Sequence, residues 1–585
     1  MTAKEAVEEV FTKPVSDLIW TANTLIVLPL TPQNFAVGSV LPAVFYMCRR
    51  GYRRGRGRFQ ETFAPGQDAR ASIWSIAGKL TQDESTFAGF QSETEKDILG
   101  DLLLCDALEN KGHVEGQTEE ILRAFPVHFF ASWLDLPPSV GHLRFVPEML
   151  VGLLANQQSE KTIQPGLDHG PFPVGVTPQE NLLFRIFGRG VVFGENPADL
   201  RGDNIDESIS LSLEELVMIR LAQTCGESPE RLPVAPGIQN VWPVARRASD
   251  VLREDLTTLL QAYGDLIPRR SITPMLECLI GQGLLSIYLE CLSITVAWEH
   301  NGELPKYSDQ KPVPIFVDAS NGGEPRLRDF SEQSFEESLR LLDHATISMA
   351  QIRVLDAIVR DDPDVHSSRP QGPDNSSWLA LLADVRSRRH NVSEITLHDL
   401  KRKIVRLSEK LTNAGMEPNA VAILGAPNAT QDPVRTIAEA ICSMMGDKLL
   451  RQNPLKFLDS CLMVNDAHGL GRKRRVSRVV AGRKRKMVDV RSAVLTNTLL
   501  ESLVHIHLAK HEGVLSFAEF LRILRERYGI WVDQSPPDVS ASREDLLNNR
   551  AMLERRLRDL GLLVGVNDAD FMKHLRPRFQ RNHQA

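Results

Sequence analysis

Apolar residues recur at three- and four-residue steps along most of this chain, the spacing that gathers one face of an α-helix. ASIWSIAGKL, EKDILGDLLLCDALEN, TEEILRAFPVHFFASWL and GHLRFVPEMLVGLLANQ all carry it in the first third of the sequence. Pro147 suits the first turn of the last of these, where the missing N–H would have had no partner. SLSLEELVMIRLAQTCG places Ser212 and Glu215 at capping-box spacing, with Gly226 as a stop. SDVLREDLTTLLQAYGDL and TPMLECLIGQGLLSIYLECLSITVAWEHN continue the period, and a long helix is expected from about Ser331 to Arg360. In SEITLHDLKRKIVRLSEKLTNAG, Thr396 and Asp399 fit another capping box and Gly415 the position beyond the end. Three helices close the chain: RSAVLTNTLLESLVHIHLAKHEG, LSFAEFLRILRERYGI capped by Ser516 and Glu519, and SREDLLNNRAMLERRLRDLGLL capped by Ser542 and Asp545.

The exceptions to this period are short. TLIVLPL is apolar and β-branched and predicts a strand, and PIFVDAS predicts another over 314–318, ending in Asp318 and an Asn-Gly-Gly turn. NFAVGSVLPAVFYMC, interrupted by Pro42, reads as a buried helix pair or a helix and a strand, and is too short for the roughly 18 to 20 residues of a membrane span. Between Gly471 and Arg491 the period falls to two. RRVSRVV alternates, AGRK turns, and RKMVDVR alternates again, which predicts a β-hairpin with Val476, Val488 and Val490 inward and the arginines together on the outer face. LLVGVNDADF, after the last helix, reads as a short strand and wing. Three helices followed by a small β element are compatible with a winged-helix module, which places its last helix in the major groove.

Two polar, proline-containing stretches, IQPGLDHGPFPVGVTP and DDPDVHSSRPQGPDNSS, lack an apolar period and mark boundaries. With a length of 585 residues, they divide the chain into several units. These are a helical segment over 1–165, a helical middle over 179–360 with the strand at 314–318, a helical region over 378–460, and a hairpin with winged-helix-like domain over 461–585. The fold class is therefore mainly α and multidomain, with small β elements.

Charge changes the picture where composition does not. The net charge of −7 conceals a split: residues 381–585 carry 35 Lys or Arg against 23 Asp or Glu, near +12, leaving −19 for residues 1–380. Arg472, Lys473, Arg474, Arg475, Arg478, Arg483, Lys484, Arg485 and Lys486 crowd the hairpin. A second basic element, RRGYRRGRGRF, contains Arg49, Arg50, Arg53, Arg54, Arg56 and Arg58 among glycines that disfavour a helix, so a flexible loop over 49–58 is expected. Arg550, Arg555 and Arg556 lie on the candidate recognition helix. Arginine pairs with phosphate bidentately and each neutralised phosphate releases counterions, so these residues point to duplex DNA through its backbone. Few aromatics accompany them, which argues against a single-strand stacking platform.

Candidate chemistry is sparse. No GxxxxGK[ST] loop, GxSxG elbow, HExxH helix or kinase set occurs, and GLGRKRR lacks the third glycine of a dinucleotide fold. The seven cysteines form no CxxC pair and most lie in apolar helices, so no metal and no cofactor are expected. His128, His505 and His507 sit in apolar runs and read as core residues. Asp318, at the end of its strand, with Asp309 and Lys311 just upstream in DxK spacing, is the best position for a metal-dependent nuclease, though an aspartate before Asn-Gly-Gly also forms turns. The acidic amino terminus, MTAKEAVEEVFTK, lacks the basic and apolar regions of a signal peptide, so a cytoplasmic location and no membrane contact are expected.

GHLRFVPEMLVGLLANQ, RIFGRGVVFGENPADLRGDN and VPIFVDASNGGEPRLRDFSEQSFEESL, with a helical carboxy terminus ending in LRDLGLLVGV, resemble large accessory proteins of bacterial anti-phage defence islands of the methylation-associated kind. The resemblance implies a component that works beside other protein subunits such as separate ATPases, methyltransferases or nucleases. Together the two lines of reading give a DNA-binding subunit without catalytic residues. A nuclease built on Asp318, or a helical scaffold whose basic hairpin docks an acidic protein, are the alternatives.

Overall fold

The computed structural model describes residues 2–50, 62–64, 66, 71–82, 88–110, 120–124, 126–129, 131, 143–155, 182–191, 206, 208–225, 241–360, 362–368, 374–480, 484–511, 515–565 and 573–579. Two long helices, Arg269–Asn301 and Pro325–Val359, form its spine and pack on each other. At about 1.5 Å per residue each is roughly 50 Å long. The first is apolar enough by length and composition to cross a membrane, yet 83% of its apolar window is buried inside the protein. Gly281 in this helix allows a close crossing, because a Cβ there would sit 2.6 Å from the Cys461 carbonyl oxygen. Helices Arg246–Tyr263, Pro433–Met445, Asn453–Cys461 and Asn497–Lys510 pack around the spine.

Buried side chains of one core cluster run from Ala6 near the amino terminus to Leu575 near the carboxy terminus. Polar ties cross it too: the Phe35 N–H donates to Ser460 Oγ at 3.0 Å and Arg353 Nη1 donates to Thr24 Oγ1 at 2.9 Å. His128 is fully buried with Nε2 3.0 Å from the Arg189 carbonyl, and burial lowers its pKa to about 4. His507 is buried as well and its pKa falls to about 3. Tyr528 donates its hydroxyl proton to Asp255 at 2.6 Å, so His507 Nε2, 2.8 Å from the same oxygen, is the donor of that pair. Burial likewise pushes the Cys291 thiol up to about 12 and raises Cys278 and Cys461, which makes them inert packing groups.

Nine strands punctuate the described residues: β1 (Ala107–Asn110), β2 (Glu120–Ala124), β3 (Ile315–Asp318), β4 (Gly471–Val480), β5 (Lys484–Val494), β6 (Leu515–Ser516), β7 (Ile530–Trp531), β8 (Leu563–Val564) and β9 (His574–Leu575). β1 and β2 pair antiparallel with an irregularity between Leu108 and Glu109. Here the helical expectation for ALEN and TEEILRA fails, because short apolar runs fit either period and pairing decides between them. TLIVLPL fails in the other direction. It forms turns closed by Val27 and Leu28 N–H groups on the Thr24 carbonyl, and the Val27 carbonyl takes the Val244 N–H at 3.0 Å. No strand partner lies beside it among the described residues, so its apolar side chains fill the core without joining a sheet.

Several caps are as the spacing predicts. Ser212 and Glu215 exchange hydrogen bonds ahead of helix Leu213–Cys225, and Ser542 and Asp545 do so ahead of Arg543–Asp559. Ser516 caps Phe517–Tyr528, while the Glu519 side chain turns to Arg522 instead. Thr396 and Asp399 are no cap: helix Ser393–Asn413 begins a turn earlier and buries Thr396 in its interior. NFAVGSVLPAVFYMC becomes the 3₁₀ turn Val37–Ser39 and helix Val40–Arg50, with Pro42 in the first turn. Gly226 lies outside the described residues.

The larger sheet has the order β4-β5-β3-β7, with β3 parallel to both neighbours. Every residue of β3 is buried, as expected of a central parallel strand covered on both faces. Gly529 brings β7 in: it adopts φ +71° at the end of Phe517–Tyr528, and a Cβ there would lie 2.4 Å from the Val313 carbonyl oxygen. Three helices, Asn497–Lys510, Phe517–Tyr528 and Arg543–Asp559, surround a small antiparallel sheet of order β6-β9-β8.

Candidate nucleic-acid interface

The basic stretch folds into the hairpin its alternation predicts. β4 and β5 hold an antiparallel register from Gly471↔Ala493 to Val480↔Lys484. At its root β5 joins β3 through Val317↔Ala493 and Asp318↔Val494. Ser331 Oγ fixes that junction, donating to the Ala493 carbonyl at 3.0 Å and accepting its N–H at 2.9 Å.

Directly opposed residues point to the same face of a ribbon. One face therefore holds Arg472, Arg474, Val476 and Arg478 with Lys486, Val488, Val490 and Ser492, and the other holds Lys473, Arg475, Ser477 and Val479 with Arg485, Met487, Asp489 and Arg491. The arginines are thus divided between the faces and share one with the inward valines. The single outer face of arginines is corrected accordingly; Val490 is buried and Val476 and Val488 are half-buried.

The inward face lies along helix Pro325–Val359, whose acids meet it in succession. Arg474 makes a forked contact with Glu332 at 2.6 and 2.8 Å and reaches Asp329 at 3.2 Å. Glu332 raises the Arg474 pKa by this hydrogen bonding, and Arg478 pairs with Glu336. Arg472 donates to Asn321 Oδ1 at 3.0 Å. On the opposite face at the root, Asp459 holds both Lys473, at 3.0 Å, and the buried Arg491.

Towards the tip Arg478 still has Glu336, but other cations stand in water. Arg475 is 76% exposed by side chain and meets only Asp489 across the ribbon, at 3.1 Å. Arg485 and Lys486 are exposed with no ion pair among the described residues. Arg483 lies outside the described residues, and Lys484 begins β5. Arg49 and Arg50 end helix Val40–Arg50, while Arg53, Arg54, Arg56 and Arg58 lie outside the described residues, as does the loop expected there.

On the last long helix, Arg556 is built into the fold. It donates to the Ala319 carbonyl at 2.9 Å and to Asn497 Oδ1 at 2.6 Å, and burial lowers its pKa against the pull of Asp318. The same helix buries Asn549, which accepts the Ala319 N–H and donates to the Val317 and Val532 carbonyls, each at 2.9 Å. Arg550 lies over the Phe517 ring, and Arg555 is exposed, 3.9 Å from Asp559. Asp318 is fully buried. Its carboxylate takes the Ser320 N–H and hydroxyl at 2.8 and 2.6 Å and the Gly322 N–H at 2.9 Å, the arrangement of a turn.

Sequence reasoning missed the acids that neutralise the root. Asp329, Glu332 and Glu336 stand three and four residues apart, the spacing of one helix face, and that signal was legible. Asp459 carried none, because only tertiary packing brings its short helix to the ribbon.

A family model described as Methylation-associated defense system protein MAD7 matches residues 23–579, nearly the whole chain. The chain belongs to that family. As a MAD7-family protein it is a component of a methylation-associated defence system, in agreement with the resemblance carried by its sequence segments. No curated protein and no solved structure matches it.

Proposed function

We propose that this MAD7-family chain is the duplex-DNA-contacting, non-catalytic subunit of its defence system, acting beside other protein components in the cytoplasm. The observation that carries the reading is that Arg485 and Lys486 stand exposed with no ion pair among the described residues, and Arg475 has the cross-strand Asp489, while Arg474, Arg478, Lys473 and Arg491 are matched to acids of neighbouring helices. Exposed cations held on a two-stranded element suit a phosphate backbone, and a major groove admits such a ribbon.

The carboxy-terminal module supports the same reading. Its order of helix, β6, helix, helix, β8 and β9, with β9 between β6 and β8, is compatible with a winged helix and supports that reading. Helix Arg543–Asp559 holds the recognition position, and its outer face carries Arg543, Leu547 and Arg555. Arg550 and Arg556 face inward contacts in this arrangement and are assigned to positioning that helix. A nuclease centred on Asp318 has little to support it, since the turn engages both carboxylate oxygens.

Binding of labelled random-sequence duplex across a salt series tests the reading. Affinity falls steeply with salt, with a slope of about −0.9 per phosphate neutralised. A flat salt dependence would falsify it.

A further inference from the structure

The open face of the ribbon carries more than charge. Register sets Arg475 opposite Asp489, Ser477 opposite Met487, and Val479 opposite Arg485, so on one strip Met487 follows the Arg475–Asp489 ion pair and Val479 stands beside the unpaired Arg485. Val479 is 71% exposed and Met487 is 57% exposed. Phosphate contacts need hydrogen-bond donors, which neither side chain has. Their place beside the exposed Arg485 suits an apolar group within an anionic partner.

Duplex DNA has such a group. The major groove is about 12 Å wide, admits a two-stranded ribbon, and exposes the amino groups of adenine and cytosine, with the thymine methyl at C5. A methyl added to adenine N6, cytosine N4 or cytosine C5 projects into the same groove, because those positions face it. The chain belongs to a family of a methylation-associated defence system, which favours an added methyl over the one thymine always has.

We propose that the open face of the ribbon enters the major groove and recognises methylated bases. Val479 and Met487 pack on the methyl group, and Arg475 and Arg485 take neighbouring guanine edges or phosphates. Lys486, on the opposite face with Arg478, reaches the backbone at the groove wall. The proposal rests on the DNA-binding reading above.

Fluorescence anisotropy with random-sequence duplexes tests it, using the full chain and duplexes made with ordinary bases, N6-methyladenine, N4-methylcytosine or 5-methylcytosine. One methylated duplex should bind more tightly, by about fourfold per methyl packed, the equivalent of about 0.8 kcal/mol. The double variant Val479→Ser/Met487→Ser should lose that preference and keep its salt slope, since it removes no phosphate contact. Both positions are exposed, so the fold should be unaffected, and circular dichroism checks this. Salt-dependent binding that ignores methylation would overturn the proposal and leave the DNA reading standing. So would a preference that survives the double variant, or an effect of replacing thymine with deoxyuridine in place of any effect of methylation. Salt-independent or absent duplex binding would overturn both, as would binding of an acidic polypeptide, in preference to DNA, through the same two residues.

Discussion

The root and the free end of the ribbon have nearly the same composition and opposite roles. At the root, Arg474, Lys473 and Arg491 meet Glu332 and Asp459 across helices distant in sequence, and Arg491 is buried. At the free end, Arg475 has one exposed partner, and Arg485 and Lys486 have none among the described residues. A guanidinium already held by a carboxylate is neutralised within the fold, whereas an exposed, unpaired one remains available to a phosphate. Counting basic residues therefore overstates the binding surface. What counts is which cations the fold has already neutralised.

The largest test of this contrast is at the root. Asp459→Ala leaves Arg491 buried without its partner and should destabilise the protein by about 3–5 kcal/mol, read from urea unfolding. If Arg485→Ala cost as much, the contrast would collapse. Asn549→Ala strips three hydrogen bonds from the β3 corner that anchors the ribbon, and a loss of about 1–3 kcal/mol in the same assay is expected.

Acid should act on the buried core. His507 has its folded pKa depressed to about 3, below the ordinary value of 6.5, so the folded state binds fewer protons between those limits. Its contribution is fully present above about pH 6.5 and is lost as pH falls towards 3, at about 1.4 kcal/mol per pH unit. His507→Phe should therefore show a pH slope shallower by about one proton than the parent chain; an unchanged slope would mean that His507 is not held neutral.

The smallest effect in energy discriminates most directly. Arg485→Ala/Lys486→Ala should leave stability within about 0.5 kcal/mol and reduce the salt slope of duplex binding by about two. Arg474→Ala should do the reverse, lowering stability with little change in slope. Equal slopes for both variants would show that root and end bind alike.

Much of this architecture was legible in the chain. The long helices, the caps at Ser212 and Ser542, the strand before Asp318 and the basic hairpin follow from period and local hydrogen bonding, which depend on near neighbours. TLIVLPL and TEEILRA were misread because a short apolar run becomes strand, turn or helix according to what pairs with it. Parity along the hairpin also showed that Arg474 and Arg478 share a face with Val476, although what that face meets was not visible.

The sequence by itself determined a mainly helical chain with one long basic ribbon and membership of a defence family. Only the tertiary structure decided which cations are neutralised, that Arg556 and Asn549 serve the β3 corner, and that Val479 and Met487 stand in water beside the exposed Arg485. Local propensity acts over a few residues, whereas an ion pair between Asp459 and Arg491 depends on packing that brings separate elements together.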